Sequence, residues 1–195
     1  MKCVSTTGLW AGCFLCAIVA ASWAQSPDTN LAKNPGFEEW NEELRCPVDW
    51  GTWFTHVSGI VPDSDEKHGG TQSLKMTTQQ TRDALHCVIQ TLDVIPGQKY
   101  TFMAWVKNNK LDAMRGSATG CLSIEWKDGL DKELGRVSSG LWDKNLSRLR
   151  WELISLKNQP PPTGAVKANF VISCGDGTKE GCGSFFVDDV VITAQ

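Results

Sequence analysis

The stretch from Val88 to Lys107 reads VIQTLDVIPGQKYTFMAWVK. Val88, Gln90, Leu92 and Val94 fall on one side of an extended chain, and Tyr100, Phe102, Ala104 and Val106 on one side of a second. A period of two is the signature of strands with one buried face. Between them stands Pro96-Gly97, in which Pro presets φ at the first central position of a turn and Gly supplies a positive φ at the second. The stretch is expected to fold as two antiparallel strands joined in a hairpin. Thr101, Met103, Trp105 and Lys107 then occupy the opposite, outer face.

The same period runs outward in both directions. Leu74 and Met76 share a face of the segment Ser73 to Thr78. Leu122, Ile124 and Trp126 alternate with Ser123, Glu125 and Lys127, and Asp128-Gly129 turns the chain. Trp151, Leu153 and Ser155 alternate with Glu152, Ile154 and Leu156, as do Val166, Ala168, Phe170 and Ile172 with Lys167, Asn169, Val171 and Ser173. Phe185 to Thr193 is apolar on both faces except for Asp188-Asp189. The best helical segment, Leu141 to Leu149, is brief, and no internal repeat is present. About nine alternating strands predict an all-β fold, a two-sheet antiparallel β-sandwich of the jelly-roll kind.

Composition sets the outer bounds. The 195 residues carry 22 acidic and 19 basic side chains, a net charge of −3, which gives no footprint for nucleic acid. The one long apolar run, Gly8 to Ala21, is short for a membrane span; it follows Lys2 and precedes Ser22-Trp23-Ala24, a small-residue cleavage pattern. Residues 1–24 are read as a signal peptide, 25–29 as a lead-in and 30–195 as one domain of a secreted protein, extracellular or periplasmic. Trp10-Ala11-Gly12-Cys13 departs from a lipoprotein signal because the chain stays apolar beyond it.

Export turns cysteines into disulfide candidates. Cys46, Cys87, Cys121, Cys174 and Cys182 remain after the leader, with no C-x-x-C spacing to suggest zinc. Cys174 and Cys182 flank a glycine-rich loop that allows close approach, and are expected to pair. The partners of Cys46, Cys87 and Cys121 stay open.

Five landmarks carry a family resemblance. Asn30-Leu31-Ala32-Lys33-Asn34-Pro35-Gly36-Phe37-Glu38 resembles the opening strand of carbohydrate-binding modules of the family 4/9/22 type. Pro47-Val48-Asp49-Trp50, His68 to Leu74, Pro96 to Phe102 and Phe186-Val187-Asp188-Asp189-Val190 are similar to that family's later landmarks, in order and at family spacing. The resemblance implies a galactose-binding-like jelly roll, a glycan site on one sheet or its loop edge, and a structural calcium. It places calcium ligands at Glu38, at Asp188 and Asp189 in the closing strand, and at carbonyls from Lys67 to Gly70. Glu39 rivals Glu38, and Asp63 or Asp65 could join. Calcium takes six to eight such oxygens. Asp188 shares the parity of Val190 and Ile192, and a buried carboxylate needs a counter-charge.

A sugar site needs a flat aromatic face and polar groups for hydroxyls. The sequence holds nine Trp against one Tyr. Trp126 reads as core, and Trp50 and Trp151 sit at landmarks that look structural. Trp105 lies on the outer face with Lys107. If jelly-roll order places it beside the strands of Ser123 to Lys127 and Lys167 to Ser173, Glu125 and Asn169 complete a platform. Trp53, Trp142 and Trp40 are candidates for a rim. His56, His68 and His86 belong to no catalytic motif, and neither G-x-S-x-G nor H-E-x-x-H occurs. Glu125 with a second acid in a cleft would make a glycosidase pair. The reading is non-catalytic binding of a polysaccharide or glycan, with a separate carbohydrate-active enzyme as an eventual partner. The alternative is a structural or adhesive surface protein that keeps the fold without the sugar site.

Overall fold

The computed structural model of the protein describes residues 29–54, 59–78, 84–176, 178 and 180–195. The leader 1–24, the lead-in up to residue 28 and His56 lie outside the described residues. The rest is built of strands: β1 (Trp40–Asn41), β2 (Cys46–Pro47), β3 (Gly51–Phe54), β4 (Ile60–Asp63), β5 (Ser73–Thr78) and β6 (Ala84–Asp93), then β7 (Tyr100–Asn108), β8 (Thr119–Lys127), β9 (Glu133–Ser138), β10 (Glu152–Gln159), β11 (Lys167–Asp176) and β12 (Gly183–Ala194). No described helix is long and apolar enough to cross a membrane. Two five-stranded antiparallel sheets, ordered β10-β7-β12-β5-β4 and β3-β6-β11-β8-β9, pack face to face as the expected sandwich.

The hairpin expected across Pro96-Gly97 does not form. β6 pairs with β3 and β11, while β7 pairs with β10 and β12 in the opposite sheet. The turn is present, with Gly97 at φ 82°, but it carries the chain from one sheet to the other. Tyr100 closes this corner: its hydroxyl accepts the Ile95 N–H at 2.8 Å, and its ring meets Trp126 edge-on at 5.6 Å. Both strands alternate because both line one core, so alternation cannot report which sheet each joins.

That core interleaves the two inner faces. Phe102 meets Phe170 edge-on at 5.4 Å, and Leu122, Ile124, Ala168 and Ile172 are fully buried across from Ala104 and Val106. Truncating Phe170 to Ala would remove about 3–5 kcal/mol. The segment Leu141 to Leu149 is not helical. Trp142 instead exchanges backbone hydrogen bonds with Gly120 at 2.9 and 3.0 Å, and Leu146 is buried beside it. The i, i+4 spacing of these two residues mimics a helix, but a Gly120 without Cβ lets the indole lie flat on the strand. In β12 the register shifts between Asp188 and Val191, with Asp189 at φ 44°. This bulge inserts one residue, so Asp188 faces outward beside Trp105 instead of sharing the inward side of Val190 and Ile192.

Candidate functional site

The outer face of the β3-β6-β11-β8-β9 sheet forms a cleft of about 500 Å³. Its floor is set by register. One row across the strands runs Trp53, Cys87, Ser173, Cys121; the next runs Ile89, Val171, Ser123, Ser138; the third runs Thr91, Asn169, Glu125, Arg136. The first row puts an aromatic at the β3 edge, beyond which no strand pairs among the described residues, and Trp53 is 56% exposed. The middle row is apolar on two strands and hydroxylated on two, with Ser123 and Ser138 linked at 2.9 Å.

The third row is a continuous polar chain. Thr91 donates its hydroxyl to Asn169 Oδ1 at 2.8 Å, and Asn169 Nδ2 donates to Glu125 Oε2 at 3.3 Å. Arg136 Nη2 lies 2.9 Å from Glu125 Oε1 and also holds Glu133 at 3.0 Å. The Arg136 guanidinium draws the Glu133 carboxyl below its usual range. Burial, and then the charge of Glu125, push the Cys87 thiol up to about 12, so it is neutral in the floor. Arg136 and Lys127 balance Glu125 and Glu133, which leaves these charged side chains without net charge. Flat apolar contact at one edge and fixed donors and acceptors at the other suit a polyhydroxylated, uncharged chain.

Residues 29–174 match the family described as carbohydrate binding domain. The chain belongs to the carbohydrate-binding domain family, and its function is carbohydrate binding. No curated protein sequence matches it. Among solved structures, TmCBM61 in complex with β-1,4-galactotriose shares the fold at 16% identity and a TM-score of 0.58, covering 86% of this chain and 99% of that one. The C-terminal family 22 module of Clostridium thermocellum Xyn10B does so at 15% identity and a TM-score of 0.56, covering 82% and 89%. The enzymatically active domain of bacteriophage CBA120 tailspike protein 4 is 15% identical with a TM-score of 0.60, over 87% of this chain but 22% of that one.

Of the module's expected sugar residues, the fold gathers Trp53, Glu125 and Asn169 on the cleft and places the other three elsewhere. Trp105 and Lys107 lie on β7, in the other sheet, flanked by β10 and β12 and not by β8 and β11. Trp105 is stacked by His68 at 4.3 Å and 16°, and Lys107 is tied to Glu66 at 2.6 Å. Trp142 is buried against Phe185 and cannot serve as an exposed rim. The sequence reading missed Arg136, Thr91, Ser173, Ile89 and Val171. Arg136 sits on β9, a short edge strand whose Glu-Leu-Gly-Arg-Val-Ser carries no apolar alternation strong enough to mark it.

The expected calcium ligands also converge in part. A Cβ on Gly36 would lie 3.3 Å from Glu38 Oε1 and 3.6 Å from Asp188 Oδ1, so both carboxylates meet over that glycine. Asp188 is fully buried; its Oδ2 accepts the N–H groups of His68 and Gly69 at 2.7 and 3.0 Å. Burial pushes its pKa up against these bonds. Asp189 is occupied by His68 Nδ1 at 2.6 Å, and the Lys67 ammonium donates to the Ser64 carbonyl. Lys67 and Gly70 have only carbonyls to offer. Among the described residues no three His, Cys, Asp or Glu side chains form a metal group. Among the described residues Glu38 and Asp188 have no ion-pair partner; the loop turns the N–H groups of His68, Gly69 and Thr71 toward them, and the two carboxylates would supply part of the oxygen set that calcium takes.

The Cys174–Cys182 disulfide is not formed: both are free thiols, as are Cys46, Cys87 and Cys121. Cys174 shares the inward parity of Phe170 and Ile172 and is fully buried, its thiol pushed far up by desolvation. Cys182 lies just ahead of β12, where its sulfur accepts Arg115 Nε and Nη2 at 3.3 Å. The glycines between them allow a tight loop, but strand parity sends one sulfur into the core.

Proposed function

We propose that the chain is an exported, non-catalytic module that binds a neutral polysaccharide across the β3-β6-β11-β8-β9 cleft, with Trp53 as the stacking face and the Thr91–Asn169–Glu125–Arg136 row as the hydroxyl-recognising face. The observation that carries this is the exposed Trp53 sharing one cleft with a fully hydrogen-bonded polar row. Trp53 and Glu125 are three strand spacings and four residues apart, about 20 Å. That span takes several linked rings, in keeping with the galactotriose named for the CBM61 structure. Non-catalysis is supported by Glu133, the second carboxylate among the described residues lining the cleft. A glycosidase acid needs a raised pKa, and Arg136 lowers this one. A binding module of this kind works beside a separate carbohydrate-active enzyme, outside the cytoplasm.

Isothermal titration against soluble β-glucan, xylan and galactan tests the reading. Binding in the micromolar to millimolar range, about −8 to −4 kcal/mol, is expected for at least one. Trp53→Ala should weaken it at least tenfold and leave the melting temperature nearly unchanged, because exposed substitutions cost about 0.5 kcal/mol or less. Undiminished binding by Trp53→Ala would move the site off this cleft.

A further inference from the structure

Two basic strips, Lys107 to Lys110 and Lys144 to Arg150, have no part in the cleft. The fold brings them together at one end of the sandwich. Asn108 ends β7, and its N–H donates to the Ser147 carbonyl at 2.9 Å while its Nδ2 donates to the Leu146 carbonyl at 3.2 Å. Segment 109–118 is thereby seated against segment 139–151, and the Trp142–Gly120 backbone bonds clamp the second segment to the start of β8. Trp142 and Leu146 are buried and anchor the pair.

Three leucines on these segments point the other way: Leu111 is 95% exposed, Leu149 84% and Leu141 67%. None of them packs on the core. Scattered exposed leucines need no explanation, but three on adjoining loops do. They are interspersed with exposed Lys110, Arg115, Lys144, Arg148 and Arg150. The acids of the two segments are Asp112, 3.6 Å from Arg115, and Asp143, which accepts the Asn145 N–H. The two loops are net positive in a chain whose net charge is −3; Asp63, Asp65 and Glu66 line the groove on one side of Lys110 and Leu111, with Glu66 held by Lys107.

We propose that this end of the sandwich docks on an anionic phospholipid bilayer. Leucines at loop tips enter the boundary between headgroups and acyl chains, and the surrounding lysine and arginine side chains meet lipid phosphates and carboxylates. An acidic polysaccharide would use the cations and leave the leucines without a role. Docked by its strand ends, the module stands upright and its cleft opens sideways, so this surface is independent of the glycan site.

Co-sedimentation of the full chain with phosphatidylcholine vesicles, with and without about a third phosphatidylserine, decides the matter. Salt-sensitive binding to the anionic vesicles is expected. The triple variant Leu111→Ser, Leu141→Ser, Leu149→Ser should bind at least tenfold more weakly, and each of Lys110→Gln, Arg148→Gln and Arg150→Gln roughly fivefold more weakly. The N-terminal apolar run is common to all variants and cannot produce these differences. The single variant Leu111→Ser, at the most exposed position, gives the same direction of effect should the triple variant fold poorly. Three results overturn the proposal: no wild-type binding, equal binding by wild type and leucine variants, or retention only by a sulfated polysaccharide with the leucines irrelevant.

Discussion

Trp53 and Trp105 both point away from the core, yet one is open and the other covered. Trp53 lies on the edge strand β3, whose free side leaves the indole half in solvent. Trp105 lies on β7 inside the other sheet, where the loop carrying His68 folds back over it and Trp151 closes on the same imidazole edge-on at 5.6 Å. A covered indole supports the fold and an open one serves a ligand. Trp105→Ala is therefore expected to cost about 2–3 kcal/mol, less than a full core truncation, and to leave glycan affinity within experimental error. Chemical denaturation beside titration checks this; lost affinity at unchanged stability would return the sugar site to Trp105. The outward parity of Trp105 was legible in the sequence; Trp53 read only as a rim residue in or near a loop, and its strand was not foreseen. What covers each was not, because it depends on which sheet a strand joins and on a loop distant in sequence.

At the scale of elements, the long core strands were legible, while the short β1 to β4 and the edge strand β9 were not. Ser73 to Thr78 has its expected bounds, and the alternations around Leu122, Leu153 and Ala168 fall on β8, β10 and β11, with Trp151 and Val166 one residue ahead of their strands. Pairing was not legible, since either sheet of a sandwich satisfies the same alternation. The bulge in β12 was equally hidden, and it is what turns Asp188 toward the 64–72 loop. That loop depends on Gly70, at φ 59°, where a Cβ would overlap Glu38 Oε1. Gly97 has a similar φ of 82° but open space around it. Gly97→Ala should cost about 1 kcal/mol from backbone strain alone. Gly70→Ala should cost more, about 2–3 kcal/mol, because it also displaces the carboxylate that binds Thr71. Equal denaturation midpoints for the two variants would show that Glu38 is free to move and that the loop is not built around it.

For the molecule as a whole, the question is what joins the segment from Asn30 to Glu38 to the last strand. Backbone bonds already do so in part, from Leu31 N–H to the Ile192 carbonyl at 2.7 Å and from Val190 N–H to the Pro35 carbonyl at 2.9 Å. Beside these bonds, Glu38 and Asp188 bring two carboxylates together over Gly36 with amide and hydroxyl donors as partners. Amides offset some of the cost of burying the Asp188 charge, but a divalent cation would offset it more completely and would tie both ends of the chain to the 64–72 loop. A cation that binds only the folded chain at 100 times its dissociation constant adds about 2.7 kcal/mol. For a domain of this length that corresponds to a melting point higher by about 5–10 °C. Calcium added to chelator-treated protein should raise the melting temperature by that amount, and magnesium should do less, because it demands a tighter octahedral shell than two carboxylates fixed by backbone amides can close around it. Glu38→Gln should melt lower and lose the response to calcium. The glycan titration should change little, since Glu38 and Asp188 do not line the cleft. An unchanged melting temperature across chelator and calcium would mean that the amides of His68, Gly69 and Asp189 alone compensate the buried carboxylate.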